Sequence, residues 1–184
     1  TQQFEAELHH FVASSCLERK GSNDLIVSEC RTALKLRPDY SEAHNNLGTA
    51  LADMGKTDEA IAHFREAIRL RPDHNGAHYN LGKALAGLGH KEDALREYRE
   101  ALRLNPLMAD AHNNMGITLA EIGQWQEAVA HHRQALDIKP DFAEGHHNLA
   151  KLLADHGQFE EAIKHYNLAL RFKPDYADAH CNLG

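Results

Sequence analysis

The sequence predicts an all-α protein: an α-solenoid built from antiparallel helix pairs that recur every 34 residues. The hexapeptide AHNNLG at 43–48 returns in closely similar form at 77–82, 111–116, 145–150 and 179–184. All five prolines keep the same spacing, and so does a series of five glycines. A fixed period of about 20 to 50 residues is typical of stacked-repeat architectures.

The domain boundaries follow from this period when the proline is placed at position 32 of each repeat. Full repeats are then 7–40, 41–74, 75–108, 109–142 and 143–176, after an N-terminal flank of 1–6. Residues 177–184 begin a sixth repeat, and the chain starts without methionine, so we expect it to be a piece of a longer protein.

Each repeat carries two apolar stripes with helical spacing. In the second repeat the first stripe runs from Ala43 to Met54 and is followed directly by Gly55, as expected at a helix C-terminus. The second stripe begins at Ala60 and ends before Pro72, which cannot continue a helix. No segment shows the alternation of a strand.

Two local features predict further contacts. Glycine stands in the middle of the first helix at position 8, as in Gly48, where it costs about 0.5–1 kcal/mol relative to alanine, so we expect a neighbouring helix to pack there. Aspartate follows the proline and an acid comes three residues later, which resembles a capping box. The residues concerned are Asp39, Asp141 and Asp175 with Glu42, Glu144 and Asp178.

The composition excludes several classes of function. With 20 basic and 27 acidic residues the net charge is −7, which argues against binding to nucleic acid or to an anionic membrane. No apolar run is long enough to span a bilayer. Three cysteines without a C-x-x-C pair favour free thiols in a reducing compartment, so we expect a cytoplasmic location.

We expect neither catalytic residues nor a metal or other cofactor. The sequence lacks a phosphate loop, a nucleophile elbow and an H-E-x-x-H motif. The chain has fifteen histidines, but the series at position 4, from His10 to His180, supplies only one per repeat, too far apart to share an ion. Packed and neutral histidines would have folded pKa values below about 6.5.

The residues of the second repeat closely resemble the tetratricopeptide pattern. They are Leu47, Gly48, Leu51, Ala60, Phe64, Ala67 and Pro72. The third repeat matches equally well, whereas the first is degenerate, with Ala13, Ser14, Ile26 and Cys30 at four of these positions. The resemblance implies a right-handed superhelix whose first helices line a concave groove that binds peptides or partner proteins.

The residues expected to face this groove are those at positions 2, 6, 9 and 13, which lie off the apolar stripe. Position 6 is always asparagine: Asn46, Asn80, Asn114, Asn148 and Asn182. A carboxamide can donate to and accept from a peptide bond, and a similar asparagine row lines the tetratricopeptide groove of O-linked N-acetylglucosamine transferase. The alternative is that duplication kept these asparagines without a role.

Charged residues at the other groove positions predict the chemistry of the ligand. Position 2 supplies Glu42, Asp110, Glu144 and Asp178, position 13 supplies Asp53, Glu121 and Asp155, and position 9 supplies Lys83 and Lys151. This balance favours a basic or neutral polar segment, unless the face is simply solvated. Positions 2 and 6 carry no Lys or Arg, so a clamp for a C-terminal carboxylate is not expected.

Two functions remain open at this point. The chain is either a binding scaffold acting through its groove or the substrate-recruiting arm of a larger enzyme, such as a glycosyltransferase. We also expect end-to-end self-association, because the incomplete sixth repeat should leave Ile163, Tyr166 and Leu170 partly uncovered.

Overall fold

The computed structural model describes residues 2–18 and 22–183, and these ranges contain eleven helices and no strand. The helices are α1 (Gln2–Glu18), α2 (Asn23–Leu36), α3 (Ser41–Asp53), α4 (Thr57–Leu70), α5 (Asn75–Gly87), α6 (Lys91–Leu104), α7 (Ala109–Glu121), α8 (Trp125–Ile138), α9 (Ala143–Asp155), α10 (Phe159–Phe172) and α11 (Ala177–Leu183). The predicted all-α class, built of helix pairs, is confirmed. The residues predicted to form an N-terminal flank are helical from Gln2 onward.

The helices form two compact units, Thr1–Leu104 and Asn105–Gly184. In the first unit α1 packs on α2, α3 on α4 and α5 on α6, and each pair then contacts the next. In the second unit α7 packs on α8 and α9 on α10, with α11 against α10. No helix in the described ranges combines the length and the apolarity needed to cross a membrane.

Glycine closes the turn between the two helices of a pair. Gly55, Gly89, Gly123 and Gly157 have φ values of 75–81°, in the left-handed region that side-chain-bearing residues rarely adopt. Their recurrence is therefore dictated by the backbone, as predicted for Gly55. The equivalent Gly21 lies outside the described residues.

The first helices begin one residue later than the capping-box prediction requires. The N-cap of α3 is Tyr40 and that of α9 is Phe142, and neither makes a side-chain cap hydrogen bond. Asp39 and Asp141 therefore do not cap these helices, and the prediction is wrong at both. Glu42 forms an ion pair with Arg71 in the turn that follows α4.

The histidine at position 4 stabilises the turn that precedes its helix. His44 Nε2 donates to the carbonyl oxygen of Pro38 at 3.1 Å. The same bond, at 2.9–3.1 Å, joins His78 to Pro72, His112 to Pro106, His146 to Pro140 and His180 to Pro174. The histidines are thus built into the repeat, as the packing interpretation predicted.

The second ring nitrogen of this histidine contacts position 23 of the same repeat. His44 Nδ1 lies 3.0 Å from His63 Nδ1. Because His44 Nε2 carries the hydrogen given to Pro38, its neutral Nδ1 must accept, and His63 Nδ1 must donate. In the third repeat the partner is a carboxylate, with His78 Nδ1 2.7 Å from Glu97 Oε2.

The pKa values of the position 4 histidines shift in different directions. Burial lowers the pKa of His10 and of His112, as predicted. The pKa of His78 is raised instead, because its hydrogen bond to Glu97 favours the charged ring. The prediction of a lowered pKa at every position 4 histidine is therefore wrong at His78.

The glycine at position 8 makes room for the ring at position 24 of the same repeat. A Cβ atom on Gly48 would lie 2.7 Å from the ring of Phe64, closer than real Cβ contacts come. The corresponding distances are 2.7 Å between Gly82 and Tyr98 and 2.9 Å between Gly116 and His132. The predicted close approach of a neighbouring helix is confirmed.

The last repeat is more covered than predicted. Tyr166 is only 3% exposed, since α11 packs on α10 and the His147 ring packs edge-on against it at 5.7 Å. Ile163 is 50% exposed and Leu170 is partly buried. The prediction of an open surface thus holds for Ile163 and fails for Tyr166, while self-association stays a prediction.

Candidate functional site

Each unit contains one cavity built from the same repeat positions. In the first unit a cavity of about 200 Å³ lies where α3 and α4 meet α5. Its lining includes Asp53, Phe64, Asn80, Lys83, Ala84 and Leu88. Asn80 and Lys83 stand at positions 6 and 9 of one repeat, while Asp53 and Phe64 stand at positions 13 and 24 of the repeat before it.

The second unit repeats this arrangement two repeats later in the chain. A cavity of about 250 Å³ lies where α7 and α8 meet α9. It is lined by Ile117, Ala120, Glu121, His132, Asn148, Lys151, Leu152 and Asp155. Asparagine at position 6, lysine at position 9 and an acid at position 13 therefore occur together at two separate places in the molecule.

The asparagine of each cavity is held by the preceding repeat. Asn80 Nδ2 donates to Asn45 Oδ1 at 3.0 Å and to Thr49 Oγ1 at 3.4 Å. Asn148 Nδ2 donates to Asn113 Oδ1 at 3.1 Å. Among the described residues neither Asn80 Oδ1 nor Asn148 Oδ1 has a hydrogen-bond partner. One end of each carboxamide is therefore fixed, and the other can accept a hydrogen bond.

The remaining position 6 asparagines have different surroundings. Asn46 Nδ2 donates to Ser14 Oγ at 2.9 Å and also lies 3.2 Å from His10 Nε2. Asn114 lies on α7, half-buried, and Asn182 lies exposed on α11. Asn80 and Asn148 are the members of the predicted row that line the two cavities.

The predicted charged residues divide into two groups. Those at positions 9 and 13 line the cavities: Lys83, Lys151, Asp53, Glu121 and Asp155. Those at position 2 (Glu42, Asp110, Glu144 and Asp178) lie in the first turns of their helices and line neither cavity. The local charge of each cavity is thus set by positions 9 and 13.

Sequence reasoning missed the residue at position 24, which forms the floor of each cavity. Phe64 fills this place in the first unit and His132 in the second, and they are 2% and 1% exposed. His132 Nδ1 contacts Asn113 Oδ1 at 3.1 Å, and burial lowers the pKa of His132 to about 4. The signal in the sequence is a histidine where the other intact repeats carry phenylalanine or tyrosine.

The structure gives no metal centre in the part of the chain that it describes. No three His, Cys, Asp or Glu side chains come together there in an arrangement that could hold an ion. The two thiols with described surroundings are Cys30, which is buried, and Cys181, which is exposed.

Family profiles for tetratricopeptide repeats together match residues 29–143 and 150–184. One TPR-repeat profile covers residues 48–89 and 150–184, a second covers 79–143 and a third covers 29–62. The chain belongs to the tetratricopeptide-repeat family. Among curated proteins no sequence matches it significantly. The further resemblance to O-linked N-acetylglucosamine transferase finds no support in these comparisons.

Several solved structures have the same fold. The thermophilic TPR protein TTC0263 from Thermus thermophilus is 26% identical, with coverage of 100% of this chain and 97% of that one and a TM-score of 0.74. MamA from Desulfovibrio magneticus RS-1 is 21% identical, with coverage of 96% and 99% and a TM-score of 0.80. YrrB, described as a TPR protein with an unusual peptide-binding site, is 22% identical, with coverage of 95% and 89% and a TM-score of 0.74.

Proposed function

We propose that this protein is a non-catalytic scaffold that binds extended peptide segments of partner proteins along the first helices of its repeats. The observation that carries this proposal is the recurrence of one cavity design in both units. Each cavity combines apolar lining residues with an asparagine, a lysine and at least one carboxylate at its edge. A few placed polar groups around an apolar pocket are typical of ligand sites.

The anchored carboxamide explains how a peptide backbone is held. Because Asn45 and Asn113 fix the amino groups of Asn80 and Asn148, the two Oδ1 atoms are oriented before a ligand arrives. An oriented acceptor loses little side-chain entropy when it receives a backbone N–H. Such a bond makes no demand on the ligand's side chains, which suits a scaffold with several partners.

The family relationship supports the same function, since YrrB, which shares this fold, is described as having a peptide-binding site. The lysines at position 9 and the acids at position 13 place both signs of charge at the edges of the cavities. We expect basic or neutral polar segments to bind best.

The test begins with an array of 12-mer peptides probed with the protein, followed by titration of the best binder. Asn148→Ala removes one carboxamide, and Asn167→Ala is the control, because Asn167 is exposed on α10 outside both cavities. Loss of one hydrogen bond costs about 0.5–1.5 kcal/mol, so Asn148→Ala should weaken binding several-fold. Equal affinities for the two variants, with circular dichroism showing both folded, would contradict the proposal.

A further inference from the structure

The two cavities share an asparagine, a lysine and the acid of the preceding repeat at their edges, and they differ at the floor. Position 24 is Phe64 in the first unit, an apolar ring in van der Waals contact with Gly48. It is His132 in the second unit, in the same relation to Gly116. In both units the asparagine at position 5, Asn45 or Asn113, accepts a hydrogen bond from the asparagine that lines the cavity.

The hydrogen bond of His132 determines which nitrogen is available to a ligand. Asn113 Oδ1 receives both Asn148 Nδ2 and His132 Nδ1, each at 3.1 Å. A carbonyl oxygen only accepts, so His132 Nδ1 carries the ring hydrogen and Nε2 carries a lone pair. Burial lowers the pKa of His132 to about 4, and the ring is therefore neutral at pH 7. Within the described residues Nε2 has no hydrogen-bond partner.

A lone pair of this kind can accept from a donor that enters the cavity. His132 is only 1% exposed and lines this cavity. A ligand that brings an N–H into the cavity would satisfy this atom. An apolar side chain would leave it unsatisfied and would exclude water from it as well.

The charges at the edge distinguish between possible donors. The cavity of the second unit has two carboxylates, Glu121 and Asp155, and one ammonium, Lys151. The first cavity has one of each, Asp53 and Lys83. The second cavity therefore carries an additional carboxylate, Asp155, where the first has Gly87, and this carboxylate favours a cationic donor over a neutral one and disfavours an acid.

We propose that the cavity of the second unit is a subsite for a basic side chain, arginine or lysine, whose N–H donates to His132 Nε2, whereas the cavity of the first unit takes an apolar side chain against Phe64. This assignment rests on the proposed peptide-binding function and names the side chain that each unit recognises. His132 is then the residue that determines specificity in the second unit.

Reciprocal substitution at position 24 tests the assignment. His132→Phe recreates in the second unit the ring, glycine and asparagine that the first unit contains, and Phe64→His does the reverse, so both variants have a structural precedent. The probe is a 12-mer Ala/Ser peptide array in which each position in turn is Arg, Lys, Asn, Leu or Glu. The measured quantity is the ratio of affinities for the Arg and the Leu peptides.

The expected result is that His132→Phe lowers this ratio about tenfold, by the loss of one charge-assisted hydrogen bond, and that Phe64→His raises it. Asp155→Asn should lower the ratio about two- to threefold without touching the core, and Asp141→Asn, an exposed acid outside the cavity, should leave it unchanged. In a nitrogen NMR spectrum of the histidine rings, the His132 Nε2 resonance should change when the Arg peptide binds, from the position of a nitrogen without a hydrogen bond to that of a hydrogen-bond acceptor.

The outcomes separate the two proposals. If Asn148→Ala weakens binding but His132→Phe and Asp155→Asn both leave the ratio unchanged, the subsite assignment is wrong and the scaffold function stands. A preference for Asn over Arg at the second unit would likewise overturn the choice of a cation. If no peptide of the array binds the wild-type protein, both proposals fail.

Discussion

The two units of the protein use one repeat design with different rings at the same positions. At position 24 the first unit has Cys30, Phe64 and Tyr98, and the second has His132 and Tyr166. The residue at position 23 that contacts the position 4 histidine is His63 or Glu97 in the first unit, whereas it is histidine in both pairs of the second unit. The comparison shows that the turns and helix pairing fix the backbone of a repeat, while its chemistry is set by rings that the backbone accommodates equally well.

The largest expected difference between the units comes from truncating the cavity floor. Phe64→Ala should destabilise the first unit by about 3–5 kcal/mol, because a fully buried aromatic ring is removed. His132→Ala should cost less, since the imidazole contributes less apolar surface and Asn113 keeps its bond to Asn148. Urea denaturation followed by circular dichroism measures both changes.

The control for this pair is Phe159→Ala, which removes the same side chain where it is 64% exposed. It should change the denaturation midpoint only slightly. A loss as large as that of Phe64→Ala would show that burial does not explain the difference.

A smaller effect is expected from filling the space beneath each ring. Gly48→Ala should destabilise the protein by about 1–3 kcal/mol, because the new Cβ would lie 2.7 Å from Phe64. Gly116→Ala should cost less, at 2.9 Å from the smaller ring of His132. Gly87→Ala, with no atom within 4 Å, should be neutral or slightly stabilising. Thermal melts of the three variants would test this order.

Mild acid should distinguish the units by the response of their histidines. In the second unit burial lowers the pKa of four histidines: His112, His132, His147 and His165. A lowered folded pKa contributes stability that is present above the unfolded value of about 6.5 and is lost as the pH falls below it. The second unit should therefore lose protection from hydrogen exchange between pH 7 and pH 5.

The first unit has an opposing contribution. Burial lowers the pKa of three of its histidines, His10, His63 and His74. The raised pKa of His78 adds stability that is fully present below about 6.5 and is lost only as the pH rises through its folded pKa. Glu97→Gln should remove this contribution and make the first unit more sensitive to acid. Equal loss of protection in both units, before and after this substitution, would contradict the explanation.

The smallest expected difference concerns the asparagine pairs. Double-mutant cycles should give a coupling of about 0.5–1.5 kcal/mol for Asn45 with Asn80. Asn148→Ala should destabilise less than Asn80→Ala, because Asn113 still receives a hydrogen bond from His132. The reverse order would show that His132 does not hold Asn113 in place.

The sequence was sufficient for the fold because the determinants of the repeat are local. The positive φ angle at position 55 favours glycine there, and the ring of Phe64 leaves no room for a side chain at Gly48 in the same repeat. The cap of α3 was predicted one residue too early, because Asp39 is a favourable capping residue but the turn places Tyr40 at that position.

The site was less predictable because it depends on contacts between repeats. The sequence shows that asparagine recurs at position 6, but not that Asn80 donates to Asn45 across two helices. The pKa of His78 is raised by a residue 19 positions later in the chain, and only the structure brings the two side chains together. His132 could have been noticed as an exception among aromatic residues, but its available nitrogen follows from its bond to Asn113.

The glycine at position 8 also affects how such an array can evolve. It leaves a space that phenylalanine, tyrosine and histidine all occupy in neighbouring repeats of this chain, without a change in the helices around them. A single nucleotide exchanges tyrosine for either of the other two. Under the proposed function, a lineage that retains the glycine can therefore change the ring in one cavity by a point mutation and leave the other repeats unaltered.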